Sequence, residues 1–176
     1  MKKLLLILIA SCFFYTSHSQ NFMTSSKKTI KKVLKRSDCV LRDFNKNNTI
    51  TIEFNGNAME GYLETQLFMA GFNIVSKKVA ERSLNISNTN ESNSQNISIS
   101  KQTLVKSVYL ISVSSQLVPS LKCPQVVIGF NARIVDLAND GALVGTFVYN
   151  GNMMKYACPN VIAEAFALKL WEAANK

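Results

Sequence analysis

The side chains that could do chemistry in this chain are few, and their spacing matches no assembled catalytic group. Among 176 residues there is one histidine, His18, and four cysteines, Cys12, Cys39, Cys123 and Cys158. His18 falls in the amino-terminal leader, so the exported form is expected to contain no histidine. Ser-His and Cys-His nucleophile pairs, His-ligated zinc and imidazole acid–base catalysis all lose their central residue. Glu60 and Glu64 stand at i, i+4, where a helix could bring them together as a general-acid pair, but capping and solvent exposure are the simpler use. Arg133 and Asp136 have the strand-end placement that antiparallel sheets commonly give such residues. Gly129, Gly141, Gly145 and Gly151 lie in an extended region, not at a strand-to-helix turn that cradles phosphate. No catalytic, cofactor-binding or metal-binding residue is assigned, no cofactor is expected, and the chain is expected not to be an enzyme.

The leader sets the compartment. Lys2 and Lys3, the apolar run Leu4 to Ala10 and the small residues Ser17-His18-Ser19 before Gln20 have the three-part pattern of a signal peptide over residues 1–19. A bilayer span needs about 20 apolar residues, and this run is shorter. Ile9-Ala10-Ser11-Cys12 resembles a lipobox, which would make Cys12 the lipidated first residue of a lipoprotein, although Phe13-Phe14-Tyr15 carries the apolar run past the cysteine. Cleavage after Ser19 is the first expectation and lipidation at Cys12 the second. Either way the protein is exported, to the periplasm or outer-membrane periphery of a bacterium or beyond it.

The formal net charge of +9 is concentrated early. Lys27, Lys28, Lys31, Lys32, Lys35, Arg36, Arg42 and Lys46 outweigh Asp38 and Asp43, whereas beyond Asn47 acids and bases nearly cancel. Residues 20–48 form a basic amphipathic helical segment, with Ile30, Val33, Leu34 and Leu41 at helical spacing between Ser26 and Phe44 and Ser25 or Ser26 as the N-cap. Two uses stay open: a solvated face on a docked helix, or a contact of Lys27, Lys28, Lys31, Lys32, Lys35 and Arg36 with an anionic membrane, cell-wall polymer or acidic protein. Nucleic acid is not an expected partner of an exported chain.

Residues 49–176 are expected to form one α/β domain. Thr49 to Phe54 alternates as a half-buried strand; Asn57 and Glu60 suit a capping box; Met59, Leu63, Leu67 and Ala70 make one helical face, ended by Gly71. A strand over Phe72 to Val75 and a short helix over Lys77 to Leu84 follow. The Asn/Ser tract 85–100 has too little apolar surface to offset the entropy of ordering it, and is expected to be a mobile loop. After a helical turn at Lys101 to Lys106, Val108 to Val118 is a strand. Val126 to Asn150 is a β-hairpin turning at Asp140-Gly141, which places Ala132 opposite Tyr149 and Ile134 opposite Phe147. A final helix opens at Pro159, burying Ile162, Ala165, Phe166 and Leu170 and wetting Glu164, Lys169 and Glu172. The sole tryptophan, Trp171, is expected to pack at the helix end. The order β-α-β-α-β-β-β-α predicts a two-layer α+β domain, a mixed sheet covered mainly on one face.

The same hairpin register puts Cys123 opposite Cys158, each followed by a proline, so a disulfide is expected in an oxidising envelope. Cys39 is left over, buried as a small hydrophobe or free to pair with another chain.

Arg133-Ile134-Val135-Asp136, the turn Gly141 and the strand Leu143-Val144-Gly145 resemble a hairpin found in CsgG-like bacterial envelope domains. That group includes the amino-terminal domain of TolB and the LpoB activators. The strand-helix-Gly71-Phe72-strand order resembles the same group. The resemblance implies docking on another envelope protein or complex as a non-enzymatic interaction or assembly module. Its alternative is a subunit or accessory of an outer-membrane, curli-like secretion complex. A pore would need extra transmembrane hairpins, and the one long insertion, residues 85–100, has no apolar face. Oligomeric state is not implied.

The intact mass of the protein from cells is expected to match a chain starting at Gln20 or a lipidated chain starting at Cys12; an unlipidated species retaining residues 1–19 would contradict both.

Overall fold

A computed structural model describes residues 23–42, 44–54, 59–76 and 107–176. The elements are α1 (Lys27–Leu34), β1 (Ser37–Leu41), β2 (Thr49–Phe54), α2 (Glu60–Met69), β3 (Asn73–Ser76), β4 (Ser107–Pro119), β5 (Gln125–Asp136), a 3-10 turn (Leu137–Asn139), β6 (Ala142–Asn150) and α3 (Pro159–Ala174). The strands form one mixed sheet in the order β1-β6-β5-β4-β2-β3, with β2 parallel to both β3 and β4 and the remaining pairs antiparallel. Ile50 and Ile52, Tyr109, Ile111 and Val113, Phe130, Ala132 and Ile134, and Phe147 and Tyr149 alternate onto one buried face. The three helices join these side chains in a single core. This is the expected two-layer α+β architecture. The expected short helix at 77–84, the loop at 85–100 and the turn at 101–106 lie outside the described residues.

The expected long basic helix is corrected. It stops at Leu34, and Ser37–Leu41 becomes an edge strand paired antiparallel with β6. Arg36 N donates to Val33 O at 2.8 Å, and the Ser37 hydroxyl donates to the same carbonyl at 2.9 Å, closing the last turn. The strand then alternates, with Ser37, Cys39 and Leu41 half-buried and Asp38 and Val40 exposed. Pairing the backbone of β6, which would otherwise be a bare edge, outweighs the weak helical preference of five residues. Leu41 suits the helical period only by coincidence. Segment and domain thus share one sheet and one core.

The hairpin is corrected in register and, up to the bulge, upheld in its faces. Ala132 pairs with Phe147 rather than Tyr149, and Ile134 with Gly145 rather than Phe147, a shift of two, with a bulge between Ile134 and Val135. The cause is a longer turn. Asp136 Oδ1 accepts from Ala138 N at 2.8 Å and Oδ2 accepts from Asn139 Nδ2 at 2.6 Å, shaping the 3-10 turn before Asp140 and Gly141 take left-handed φ of 52° and 74°. Side chains alternate with period two, so a shift of two leaves Ala132, Ile134, Phe147 and Tyr149 on their expected face; beyond the bulge the shift is three, and Leu143 lies exposed opposite Val135.

α2 buries Leu63 and Leu67, with Met59 and Ala70 buried at its ends, as the pattern predicts. It ends in a Schellman motif: Gly71 has φ 84°, Gly71 N donates to Phe68 O at 2.9 Å and Phe72 N to Leu67 O at 3.1 Å. Asn57, the expected cap, lies outside the described residues. Trp171 is half-buried against the core at the far end of α3.

Where β1 meets β6, Gly145 permits a close approach: a Cβ there would stand 2.6 Å from Val40 O and 2.5 Å from Leu41 Cδ2. Relief would require β1 to move. Gly145→Ala is therefore expected to destabilise the fold by about 1–3 kcal/mol in denaturant melts; an unchanged midpoint would mean that β1 does not press on β6.

Candidate functional site

The basic helix is positioned by a carboxylate that the sequence pattern assigns to solvent. Glu164, expected on the wet side of the last helix, is 0% exposed. Thr24 Oγ1 donates to its Oε1 at 2.6 Å and Ser25 N donates to its Oε2 at 2.9 Å, while Asn160 Nδ2 donates to Ser25 Oγ at 3.3 Å. A buried carboxylate is costly without donors, and here they come from the strand of chain entering α1. α3 has no outer side at this point, because α1 and α2 flank it and the sheet lies beneath. The signal is visible afterwards: Glu164 is the single charge within the apolar run Val161 to Leu168.

From that anchor Ser26 caps α1, its Oγ accepting from Thr29 N at 3.3 Å. Ile30 and Val33 are buried, and Lys27, Lys28, Lys31, Lys32 and Lys35 are all exposed. Arg36 separates from this set. It is half-buried, and its positive charge acts on the phenol of Tyr149. The anionic-surface candidate thus reduces to five lysines on one short, firmly docked helix.

Cys123 and Cys158 are joined as a disulfide with Cα atoms 6.2 Å apart. The expected pair is correct, but the ladder does not run straight to it. After Gly129 pairs with Asn150, residues 151–156 loop out, and the ladder resumes with Val127 opposite Ala157. Closing the 35-residue separation contributes about 4 kcal/mol on the chain-entropy estimate. The looped residues are held tightly: Asn152 and Lys155 exchange backbone hydrogen bonds at 3.1 and 3.0 Å, Asn152 Oδ1 accepts from Met154 N and Lys155 N, and Tyr149 Oη donates to Lys155 O at 3.0 Å. Gly151 allows this closure, since a Cβ there would meet Lys155 O at 2.6 Å.

Cys39 is the free cysteine among the described residues, half-buried beside a cavity of about 330 Å³ that is also lined by Lys169, Glu172 and Lys176. Burial pushes its thiol up; Lys169 pulls it down, Glu172 pushes it up and Lys176 pulls it down less strongly. Arg133 is exposed on the open sheet face, whereas Asp136 shapes the hairpin turn. Glu60 and Glu64 are half-buried on α2. Among the described residues no group of three or more His, Cys, Asp or Glu could hold a metal ion, and no helix is long and apolar enough to cross a membrane.

Burial pushes the Tyr149 phenol above the usual tyrosine value, a rise that the nearby guanidinium of Arg36 partly offsets. A raised folded-state value means that the neutral phenol is favoured in the fold. Its contribution is fully present below about pH 10 and is lost as pH rises through the folded value. Wild-type melting temperature is expected to fall more steeply above pH 10 than that of Tyr149→Phe; parallel profiles would count against this linkage.

No family model matches the chain, and no curated protein does. Among solved structures it is similar to PelC from Paraburkholderia phytofirmans, seen as a dodecamer in two crystal forms. A point variant of PelC has 11% identity over 78% of this chain and 96% of that one, with a TM-score of 0.44. The second form has 12% identity over 78% and 92%, with a TM-score of 0.39.

Proposed function

We propose that the protein is a non-enzymatic, exported envelope module that works by docking, with α1 presented to an anionic surface of the envelope and the domain available to another envelope protein or complex. One observation carries this reading. Ile30 and Val33 bury the inner side of α1 while Lys27, Lys28, Lys31, Lys32 and Lys35 all face outward. Five like charges on so short a helix are a poor choice for stability alone, since neighbours one turn apart repel. They suit attraction to a negative surface. Export is supported by the leader-like residues 1–19 and by the Cys123–Cys158 bridge, which belongs to oxidising compartments. The likeness of the hairpin residues to CsgG-like envelope domains agrees with a docking role.

Reversing Lys27, Lys28, Lys31 and Lys32 to Glu is expected to abolish sedimentation of the protein with anionic liposomes. Wild-type binding should weaken as the screening length falls from about 10 Å at 0.1 M salt to about 3 Å at 1 M. The thermal midpoint should scarcely move, because exposed charges contribute little to stability. Binding that survives the reversal would remove α1 as the contact.

A further inference from the structure

Four elements terminate at one end of the domain: β4 at Pro119, β5 from Gln125, β6 at Asn150 and α3 from Pro159. The two loops that join them there are tied by the disulfide and by Lys122, whose Nζ lies 5.4 Å from the centre of the Tyr156 ring. These loops expose large apolar side chains: Leu121 is 108% exposed, Met154 93% and Met153 71%. Such exposure in a slack loop would mean little. Here Met153 and Met154 occupy the apex of the turn closed by Asn152 and Lys155, braced beneath by Tyr149 and Gly151. Tight-turn apices are normally polar or glycine, so two methionines held outward are unusual.

The charge in these two loops has one sign, the nearest exposed acid being Asp38 on β1, opposite Val148. Lys122 and Lys155 stand beside the apolar residues, and no Asp or Glu occurs in residues 119–125 or 141–163. Glu164, the next acid, is buried on Thr24 and Ser25. Those same hydrogen bonds bring the start of α1 to the start of α3, so the chain enters the fold near this end, with Lys27 and Lys28 in the first turn of α1.

We propose that this stapled end inserts into an anionic lipid bilayer, with Leu121, Met153 and Met154 passing the headgroups and Lys122, Lys155, Lys27 and Lys28 remaining among them. Apolar side chains ringed by lysines, with an aromatic at the boundary, suit that interface. Each lysine near such a surface contributes about fivefold to binding. An apolar pocket of a partner protein could take two methionines, but would not by itself call for loops that carry cations and no acid. The inference deepens the docking role proposed for α1, and adds insertion to what could otherwise be adsorption by charge.

The test uses the full mature protein with its disulfide intact and vesicles of phosphatidylglycerol and phosphatidylcholine. The variant Leu121→Ser, Met153→Ser, Met154→Ser is expected to bind about tenfold or more weakly than wild type, with an unchanged melting temperature. Met154→Trp should gain fluorescence quenching by brominated lipid that wild type, with Trp171 at the far end of α3, does not show. Equal binding by the serine variant, or no gain in quenching, overturns the insertion. Salt-sensitive, unquenched binding lost on charge reversal of α1 would leave the docking role standing and remove insertion alone. No binding to these vesicles would remove both, and leave a protein pocket as the occupant of the end.

Discussion

A six-stranded sheet with one strongly apolar face must be covered, and in this fold the cover is centred on α3. Phe166 reaches from it into Phe130 and Phe147, the three rings meeting edge to face with centroids 5.4 to 5.9 Å apart. Burying each contributes about 1.5–3 kcal/mol, with the edge-to-face geometry adding about 0.5–1.5 kcal/mol per pair. Ala163, Ala165 and Ala167 are fully buried around it, their small side chains letting neighbours approach the helix closely. α1 and α2 then pack on the flanks of α3. A second aromatic group, Phe44 with Phe72 and Tyr109, closes the core on the β2–β4 side. Remove α3 and both outer helices lose most of the surface on which they dock.

Sequence patterning was informative wherever the physical rule was local or periodic. The alternation in β2, β4 and β5, and in β6 from Gly145 onward, identified the faces correctly, and the Gly71 helix stop followed from backbone conformation alone. It failed where a distant partner decided the outcome. Ser37–Leu41 became a strand because β6 offered an unpaired edge, a fact absent from those five residues. Glu164 was assigned to water because carboxylates usually are; its burial depends on Thr24 and Ser25, far away in sequence. The basic lysines were legible as a set, but the partial burial of Arg36 beside the end of β6 was not.

The disulfide shows how a correct expectation can rest on incomplete geometry. Extrapolating an unbroken ladder from the hairpin put Cys123 opposite Cys158. The real ladder runs in a different register, loops out over residues 151–156, and resumes with Val127 opposite Ala157. The looped residues more than reverse the turn error, so that Cys158 follows the Val127–Ala157 pair and meets Cys123 from beyond the start of β5. What survives is the coarser inference that two cysteines at the converging ends of paired strands will meet.

The open face of the sheet bears on where function can reside. Leu110, Val135 and Val148 are half-buried there among Ser112, Ser114, Asn131, Arg133 and Thr146, whereas Val144, at the bulge, packs against the core. Such mixing is what a solvated antiparallel face looks like, with Leu110, Val135 and Leu143 paired as one short apolar row across it. The features that lack a purely structural reason lie elsewhere, in the outward lysines of α1 and the apolar turn beside the disulfide. Both sit outside the aromatic core that holds the fold, and both are fixed to it by buried polar groups, Glu164 for the helix and Tyr149 for the turn. The core and these contacts are therefore separable: the outward side chains can change without loosening α3, whereas changes at Glu164 or Tyr149 would shift the surfaces themselves.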